Sequence, residues 1–354
     1  MEHRNLGRTG LQVSSLALGT MMFGAWGNTD HGACIRIIHE ALDGGINLVD
    51  TADMYAAGET EEITGRALAG RRDEVVLATK FWNPMGDGIN QRGASRRWIM
   101  QAVEASLRRL RTDWIDVYQV HRPDPHTDIE ELMDALGDLV RQGKVRYLGT
   151  STWPAEMIVE AQWAATRRGG PKLSCEQPPY SILTRGIERA VLPTCRRHGM
   201  GVLAWAPLNG GWLTGKYVRD QAPPSGSRRD YAGEHMTSSD AKFDAVDALQ
   251  GVAAQAGLTL THLALAWVRE HPAVTAAIIG PKTREQLTDL LAAADTRLDL
   301  ATLDAIDAIV APASTLMDAD NGWTTWELDA ANRRRPTTST TTSPTTSTTL
   351  KSSS

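Results

Sequence analysis

Through the first 310 or so residues, short apolar runs rich in β-branched residues and leucine alternate with longer stretches whose apolar positions recur every three or four residues. Strands give the first pattern and helices the second, so the alternation predicts βα units rather than hairpin sheets. Eight runs read as strands: 15–18, 46–50, 75–79, 115–120, 145–148, 173–176, 202–205 and 274–279. Runs such as VVLAT and VTAAIIG are apolar almost throughout, as expected of parallel strands covered on both faces. Between the runs, Ile35, Ile38 and Leu42 form a helical stripe ended by Asp43-Gly44-Gly45. Ile99, Val103, Leu107 and Leu110 form another behind a Ser95 cap, and Ile129, Leu132, Leu136 and Leu139 a third between Asp128 and Gly143. These stripes read as helix-on-sheet core. Eight such units in about 310 residues predict an α/β fold, a (β/α)8 TIM barrel, in preference to two Rossmann halves.

Other segments stand outside the repeat. RNLGRTGLQVS predicts a β-hairpin turning at Thr9-Gly10, placed to plug the N-terminal mouth of the barrel. Residues 215–240, with Pro223, Pro224 and Gly226, are too long and polar for an ordinary βα connection and read as a lid. The closing PTTSTTTSPTTSTTLKSSS has almost no apolar side chains to offset ordering entropy. The predicted division is a barrel over 1–314, a C-terminal segment near the active site over 315–334, and a disordered Thr/Ser tail over 335–354.

Composition narrows the partners. The 354 residues are 42% hydrophobic and 22% charged, enough for one large core. A net charge of -5, with arginine and glutamate mixed along the chain, gives no basic face, so nucleic acid is not expected. Cys34, Cys175 and Cys195 have no paired spacing, which argues against a disulfide framework or zinc knuckle and for reducing cytoplasm. The N-terminus is polar and no run nears the roughly 18 apolar residues of a membrane span, so a soluble cytoplasmic chain without a membrane partner is expected. A homo-oligomer stays open.

Candidate chemistry sits at strand ends. Asp50 and Tyr55 in INLVDTADMY, Lys80 in LATKFW and His121 in YQVHRPDP each stand at or just past the C-terminal end of a predicted strand. A parallel barrel gathers such ends on one face, where its active sites lie. A tyrosine hydroxyl ordinarily titrates near ~10, so giving up its proton near neutrality needs a cation to stabilise the phenolate. Lys80 supplies that charge, Asp50 pairs with Lys80, and His121 hydrogen-bonds a carbonyl oxygen or relays the proton. Singly, each fits a duller role: a turn aspartate, a rim aromatic, a surface lysine, a structural histidine. Together on one face they polarise a carbonyl. With no nucleophile or metal cage beside them, the incoming group comes from a cofactor, and hydride is the natural candidate.

Other motifs fail. Gly210 to Lys216 has P-loop spacing, but Tyr217 stands where Ser or Thr must bind magnesium. No G-x-G-x-x-G follows an early strand. His121, Asp124 and His126 are interleaved with Pro123 and Pro125 on an extended path with no further ligand, so no metal is expected.

The segments LGRTGLQVSSLALGTMMFG, GINLVDTADMY, LATKF, HRPDP, VRYLGTSTW, VLAWAPLNGGWLTGKY and AAIIGPKTREQL resemble the aldo-keto reductase superfamily, in family order from about Arg4 to about Val310. The resemblance is greatest to the branch with potassium-channel β subunits and many bacterial reductases. It implies a (β/α)8 barrel, NADPH as the usual hydride donor, cofactor binding first, and reduction of aldehydes or ketones. It also implies catalytic roles for Asp50, Tyr55, Lys80 and His121.

For the cofactor, the resemblance implies contacts from Gly19, Thr20, Met21 and Asp50, and a grip on the nicotinamide carboxamide by Ser151, Thr152 and Gln177. Thr152 replaces the family's usual Asn, losing the amide's two-ended geometry. Trp205 would stack on the nicotinamide, with Ala206, Pro207, Leu208 and Gly210 beneath the pyrophosphate and Lys216 and Arg228 closing over it. Gly280, Lys282, Thr283 and Gln286 open a helix where amide dipoles and a cation favour a phosphate, hence NADPH over NADH. Asp289-Leu290 stands where the family usually has Glu-Asn, so one adenine contact is missing. Eleven tryptophans against three phenylalanines suggest a pocket walled by Trp26, Trp82 and Trp153 with Tyr55 and His121. Trp205 and Trp212 also fall on that face, and Trp323 and Trp326 could fold over it. Such a wall suits an apolar, aromatic or sugar-like small-molecule carbonyl substrate. The rival expectations are a cofactor-sensing binding module like channel β subunits, and a reductase of an activated C=C or keto-sugar in secondary metabolism.

Overall fold

Nearly every residue of the barrel strands is buried, and alternate residues face two different cores. The structure, a computed structural model, describes residues 1–232 and 239–325. Strands β1 (His3–Asn5) and β2 (Gln12–Ser14) pair antiparallel. Then come β3 (Leu16–Gly19), β4 (Leu48–Asp50), β5 (Val76–Phe81), β6 (Ile115–Val120), β7 (Val145–Ser151), β8 (Leu173–Gln177), β9 (Gly201–Ala204) and β10 (Ala276–Ile279). These eight close into a parallel barrel in the order β10-β3-β4-β5-β6-β7-β8-β9. Every predicted barrel strand is present, with ends displaced by a few residues. The largest shift is in β7, which runs past Leu148 to Ser151 because Gly149 lets β8 come close: a Cβ there would lie 2.6 Å from Cys175 Sγ.

The helices are α1 (His31–Asp43), α2 (Glu59–Ala67), α3 (Arg96–Leu110), α4 (Ile129–Arg141), α5 (Ala155–Arg168) and α6 (Val191–His198), followed by α7 (Arg228–Ala232), α8 (Asp240–Gln255), α9 (Leu260–Glu270), α10 (Arg284–Ala292) and α11 (Leu300–Ile309). The three predicted stripes fall on α1, α3 and α4. The side chains of Asp30, Ser95 and Asp128 cap them by accepting from Ala33 N, Trp98 N and Glu130 N, which satisfies amides that have no partner inside the helix. The larger core packs these stripes on outward-facing strand residues such as Leu18, Val49, Leu77 and Tyr118. Inside the barrel lies a second cluster with Ala17, Leu48, Ala78, Val117, Cys175, Leu203 and Ala276.

The N-terminal hairpin closes the bottom of that inner cluster, to which it contributes Leu6 and Val13. Its turn is held by Leu6 N donating to Leu11 O at 2.8 Å, and Arg8 N reaches Gly199 O at 2.8 Å. At the other face, the segment expected to be a lid carries α7, and residues 233–238 lie outside the described residues. Residues Met1–Trp323 form one compact unit. Thr315 pairs with Thr184, and Asp320 forms a 2.6 Å ion pair with Lys242. The expected disordered tail, and Trp326, lie outside the described residues. Among the described residues no single helix is long and apolar enough to cross a membrane.

Gly7 tests the hairpin's role as a plug. It has φ +58, and an added Cβ would stand 2.3 Å from Gly199 O and 2.6 Å from Gly201 N, all backbone that cannot yield cheaply. Gly7→Ala should therefore destabilise the fold by about 1–3 kcal/mol. Gly10→Ala, where a Cβ would meet nothing within 4 Å, should stay within about 0.5 kcal/mol of the parent. Urea titrations of both variants check this, and equal midpoints would sink the tight-fit argument.

Candidate active site

Side chains two residues apart on a strand face the same way. Leu48, Ala78, Val117 and Cys175 point into the barrel, so Asp50, Lys80, Gln119 and Gln177, each two residues further on, form a polar layer directly above them. The pairings Asp50 with Ala78, Lys80 with Gln119, and Ser151 with Gln177 fix their relative heights. Lys80 is wholly buried, Asp50 nearly so, and the pair lies 2.7 Å apart. Lys80 Nζ also donates to Thr51 O at 2.8 Å and to Tyr55 Oη at 3.3 Å. Asp50 Oδ1 accepts from Gln177 Nε2 at 2.8 Å and Gln119 Nε2 at 3.4 Å. Burial opposes the charge on Lys80, but Asp50 and Tyr55 outweigh it and raise its pKa above the ordinary lysine value.

Tyr55 is delivered by a backbone that keeps pairing after β4 ends. Thr51 N donates to Ala78 O at 2.9 Å and Asp53 N to Lys80 O at 3.0 Å. A tight turn over Tyr55–Gly58 follows, with Ala56 at φ 47 and Ala57 at φ 55 in the left-handed region, a conformation that L residues adopt only when their surroundings enforce it. The Tyr55 ring meets His121 edge-on at 5.9 Å and Trp26 at 6.0 Å. His121 is buried, and burial, with Lys80 and Arg122 nearby, holds its pKa well below the usual 6.5. Asn83 Nδ2 donates to its Nδ1 at 3.1 Å, so the neutral ring carries its proton on Nε2.

These groups open into a cavity of about 740 Å3. Around the reacting end it is lined by Gly19, Met21, Trp26, Asp50, Tyr55, His121, Ser151, Gln177 and Trp205. It continues past Ala206, Pro207, Leu208 and Gly210 to Lys216, Arg228, Gly280, Lys282, Gln286 and Asp289. At that far end cations crowd. Burial and then Lys282 depress the pKa of Lys216, while burial and then Arg228 depress that of Lys282. Such crowding suits a polyanion, and a long cleft with the Trp205 indole at one end and gathered cations at the other fits a dinucleotide with phosphates.

Several expected contacts lie elsewhere. Thr20 is buried, and its hydroxyl donates to Asp50 O at 3.0 Å. Thr283 caps α10, its hydroxyl accepting from Gln286 N. Thr152, at φ 61, accepts from Arg122 Nη1 at 3.0 Å. None of these threonines lines the cavity. Trp153 is 1% exposed within the outer core, and its neighbour in the expected wall, Trp82, packs against that same core, so Trp26 is the indole that walls the cavity beside Tyr55. Trp212 is wholly buried too. Asp124, weighed as a metal ligand, accepts from Ala94 N, His126 N and Thr127 Oγ1 instead. Sequence reasoning missed Gln119, Asn83, Arg122, Met22 and Met54. Of these only Gln119 carried a signal, its two-residue offset from Val117.

The Aldo/keto reductase family model matches residues 15–311. The chain is 42% identical over 311 residues to the uncharacterized oxidoreductase YrpG of Bacillus subtilis (strain 168), covering 84% of this chain and 93% of that protein. It is 38% identical over 327 residues to a probable voltage-gated potassium channel subunit beta of Arabidopsis thaliana, covering 88% and 97%. It is 36% identical over 304 residues to the aldo-keto reductase YhdN of Bacillus subtilis (strain 168), covering 82% and 88%.

Behind the cavity, Glu176 makes a prediction about pH. It is wholly buried, accepting from Trp153 N at 3.0 Å and from the Thr150 hydroxyl, and burial raises its pKa from 4.5 to about 7. Between those values the folded chain holds a proton that the unfolded chain has lost. Stability is therefore complete below about 4.5 and falls as pH rises through about 7, by on the order of 3 kcal/mol. Glu176→Gln removes that dependence, so thermal melts should shift in the variant's favour between about pH 5 and about pH 8. A gap from the parent that does not change with pH would refute this.

Proposed function

The chain belongs to the aldo/keto reductase family, an oxidoreductase family acting on carbonyl compounds, and from that premise we propose an NADPH-dependent reductase of aldehydes or ketones with Tyr55 as proton donor. The observation that carries this reading is the 3.3 Å approach of Lys80 Nζ to Tyr55 Oη, with Asp50 on the same ammonium. When bound, the reduced nicotinamide supplies a hydride to the carbonyl carbon. Trp205, Ser151 and Gln177 would hold its reacting end, and Gln177 is kept in place by Asp50. Lys216, Arg228, Lys282, Gln286 and Asp289 would hold the phosphates and adenosine.

The protein's own residues do the rest. His121, neutral and protonated on Nε2, donates a hydrogen bond that orients the carbonyl oxygen. Tyr55 then gives its proton to that oxygen as negative charge develops there. The ammonium of Lys80 stabilises the phenolate left behind, and Asp50 keeps that ammonium fixed and charged. The buried layer beneath excludes water, which strengthens each of these interactions. The likeness to channel β subunits favours a second reading, an auxiliary binding module with slow redox chemistry. The intact Asp50, Tyr55, Lys80 and His121 set favours the reductase.

Tyr55→Phe should lower kcat for aldehyde-dependent NADPH oxidation by about 10²–10⁴-fold, followed as absorbance loss with a panel of small aldehydes. Undiminished turnover would remove Tyr55 as the acid. Cofactor choice is tested by titration calorimetry. NADPH should bind more tightly than NADH, and Lys282→Ala should weaken NADPH about tenfold or more, with a smaller effect on NADH. Tighter NADH binding to the parent would overturn the preference.

A further inference from the structure

Arg122 borders the reacting end of the cavity, yet none of the roles above uses it. Its Nη1 donates to His121 O at 2.9 Å and to Thr152 Oγ1 at 3.0 Å, both neutral acceptors. A guanidinium has five N–H donors. Among the described residues Nε and Nη2 make no hydrogen bond, and no ion pair includes Arg122. Tyr55 and Glu176 are the anionisable groups near enough to influence it, and burial still lowers its pKa below the ordinary arginine value. Arg122 is half-buried, and a partly desolvated cation without an ion-pair partner is costly, while a planar fork with free donors matches a carboxylate. The same cavity carries an apolar, aromatic set, Trp26, Met22 and Met54, with the Trp26 ring against Tyr55.

We propose that Arg122 is a specificity-determining residue that binds an anionic group on the substrate, so that this protein prefers carbonyl compounds with a ring-sized apolar body and a carboxylate. The inference rests on the reductase reading. The body packs on Trp26, Met22 and Met54 while the carboxylate takes the Nε and Nη2 edge of Arg122. Holding both ends sets the carbonyl against Tyr55 and His121.

The test compares 2-, 3- and 4-carboxybenzaldehyde with their methyl esters, which keep the ring and lose the charge. For at least one isomer the parent enzyme should have a higher kcat/KM for the acid than for its ester. Arg122→Gln should lower that acid-to-ester ratio about tenfold or more, mainly through KM, and Arg122→Lys should restore part of it. A merely structural role would reduce both substrates alike, and an unchanged ratio, or ester preference for all three isomers, overturns the proposal. A binding arm separates this from failure of the reductase reading. By calorimetry on the parent loaded with NADP+, benzoate should bind more tightly than benzamide, and Arg122→Gln should abolish the difference. Absence of turnover with that difference intact would reject the reductase and keep the anion site, whereas equal binding of benzoate and benzamide would reject the site.

Discussion

The buried ammonium of Lys80 is the constraint on which the rest of the site depends. Taking a charge of either sign out of water costs several kcal/mol, offset only by close pairing and full use of its hydrogen bonds. An ammonium has three donors, and here they go to Asp50, Thr51 O and Tyr55. Two acceptors are fixed by strand β4 and the residue after it, so the third donor is left for the phenol. Asp50 is satisfied in turn by Gln177 and Gln119. Removing any member strands a partner in a dry interior, and this makes the group behave as a unit.

That unit draws on β4, β5, β6 and β8, which is why a closed barrel with fixed register is needed. A slip of one residue in any of these strands would turn its polar side chain outward and an apolar one inward. Below, the inner cluster and the hairpin's Leu6 and Val13 set the floor. Above, the chain leaves the strands through turns that carry much of its backbone strain. Ala56, Ala57, Trp82, Thr152, Ala206 and Asn209 all have positive φ and follow strand ends on the open face. Each such residue costs on the order of 1–3 kcal/mol, tolerable because the barrel beneath over-determines the path.

The same two-residue period explains how much could be read from the sequence. The eight barrel strands were legible because both their faces are apolar, and Asp50, Lys80 and His121 stood out as polar residues where such runs end, whereas Gln177 followed only from the family resemblance. Gln119 has the same two-residue offset, from Val117, but lies inside its apolar run rather than at the end of it. Hydroxyl side chains were not legible. Thr20 and Thr152 satisfy a carbonyl and an arginine that only the folded chain brings near, whereas Thr283 caps its own helix at Gln286 N, three residues on. The indoles misled for a related reason: position on the active face does not decide whether a ring turns to the cavity or to the helices, and Trp153 turns to the core. Arg122 and Asn83 belong to loops without periodicity, and their side-chain partners, Thr152 and His121, come from other loops.

At the far end of the cleft, one side chain links the long loop to the crowded cations. Lys282 Nζ donates to Gly226 O at 2.8 Å, and Gly226 together with Pro224, Ser225 and Ser227 lines the cavity beside Arg228. Further ties include Gly226 N to Asp230, Ser227 N to Pro224 O and Arg229 N to the Tyr217 hydroxyl, while Arg219 pairs with Asp240 and Asp244 of α8. At the base of the loop Tyr217 meets Trp212 edge-on, and Trp212 in turn meets Phe243 of α8 edge-on. An ammonium can hold a backbone carbonyl and a phosphate oxygen together, because its three donors diverge. In the proposed reductase the same ammonium would bridge the long loop and a cofactor phosphate.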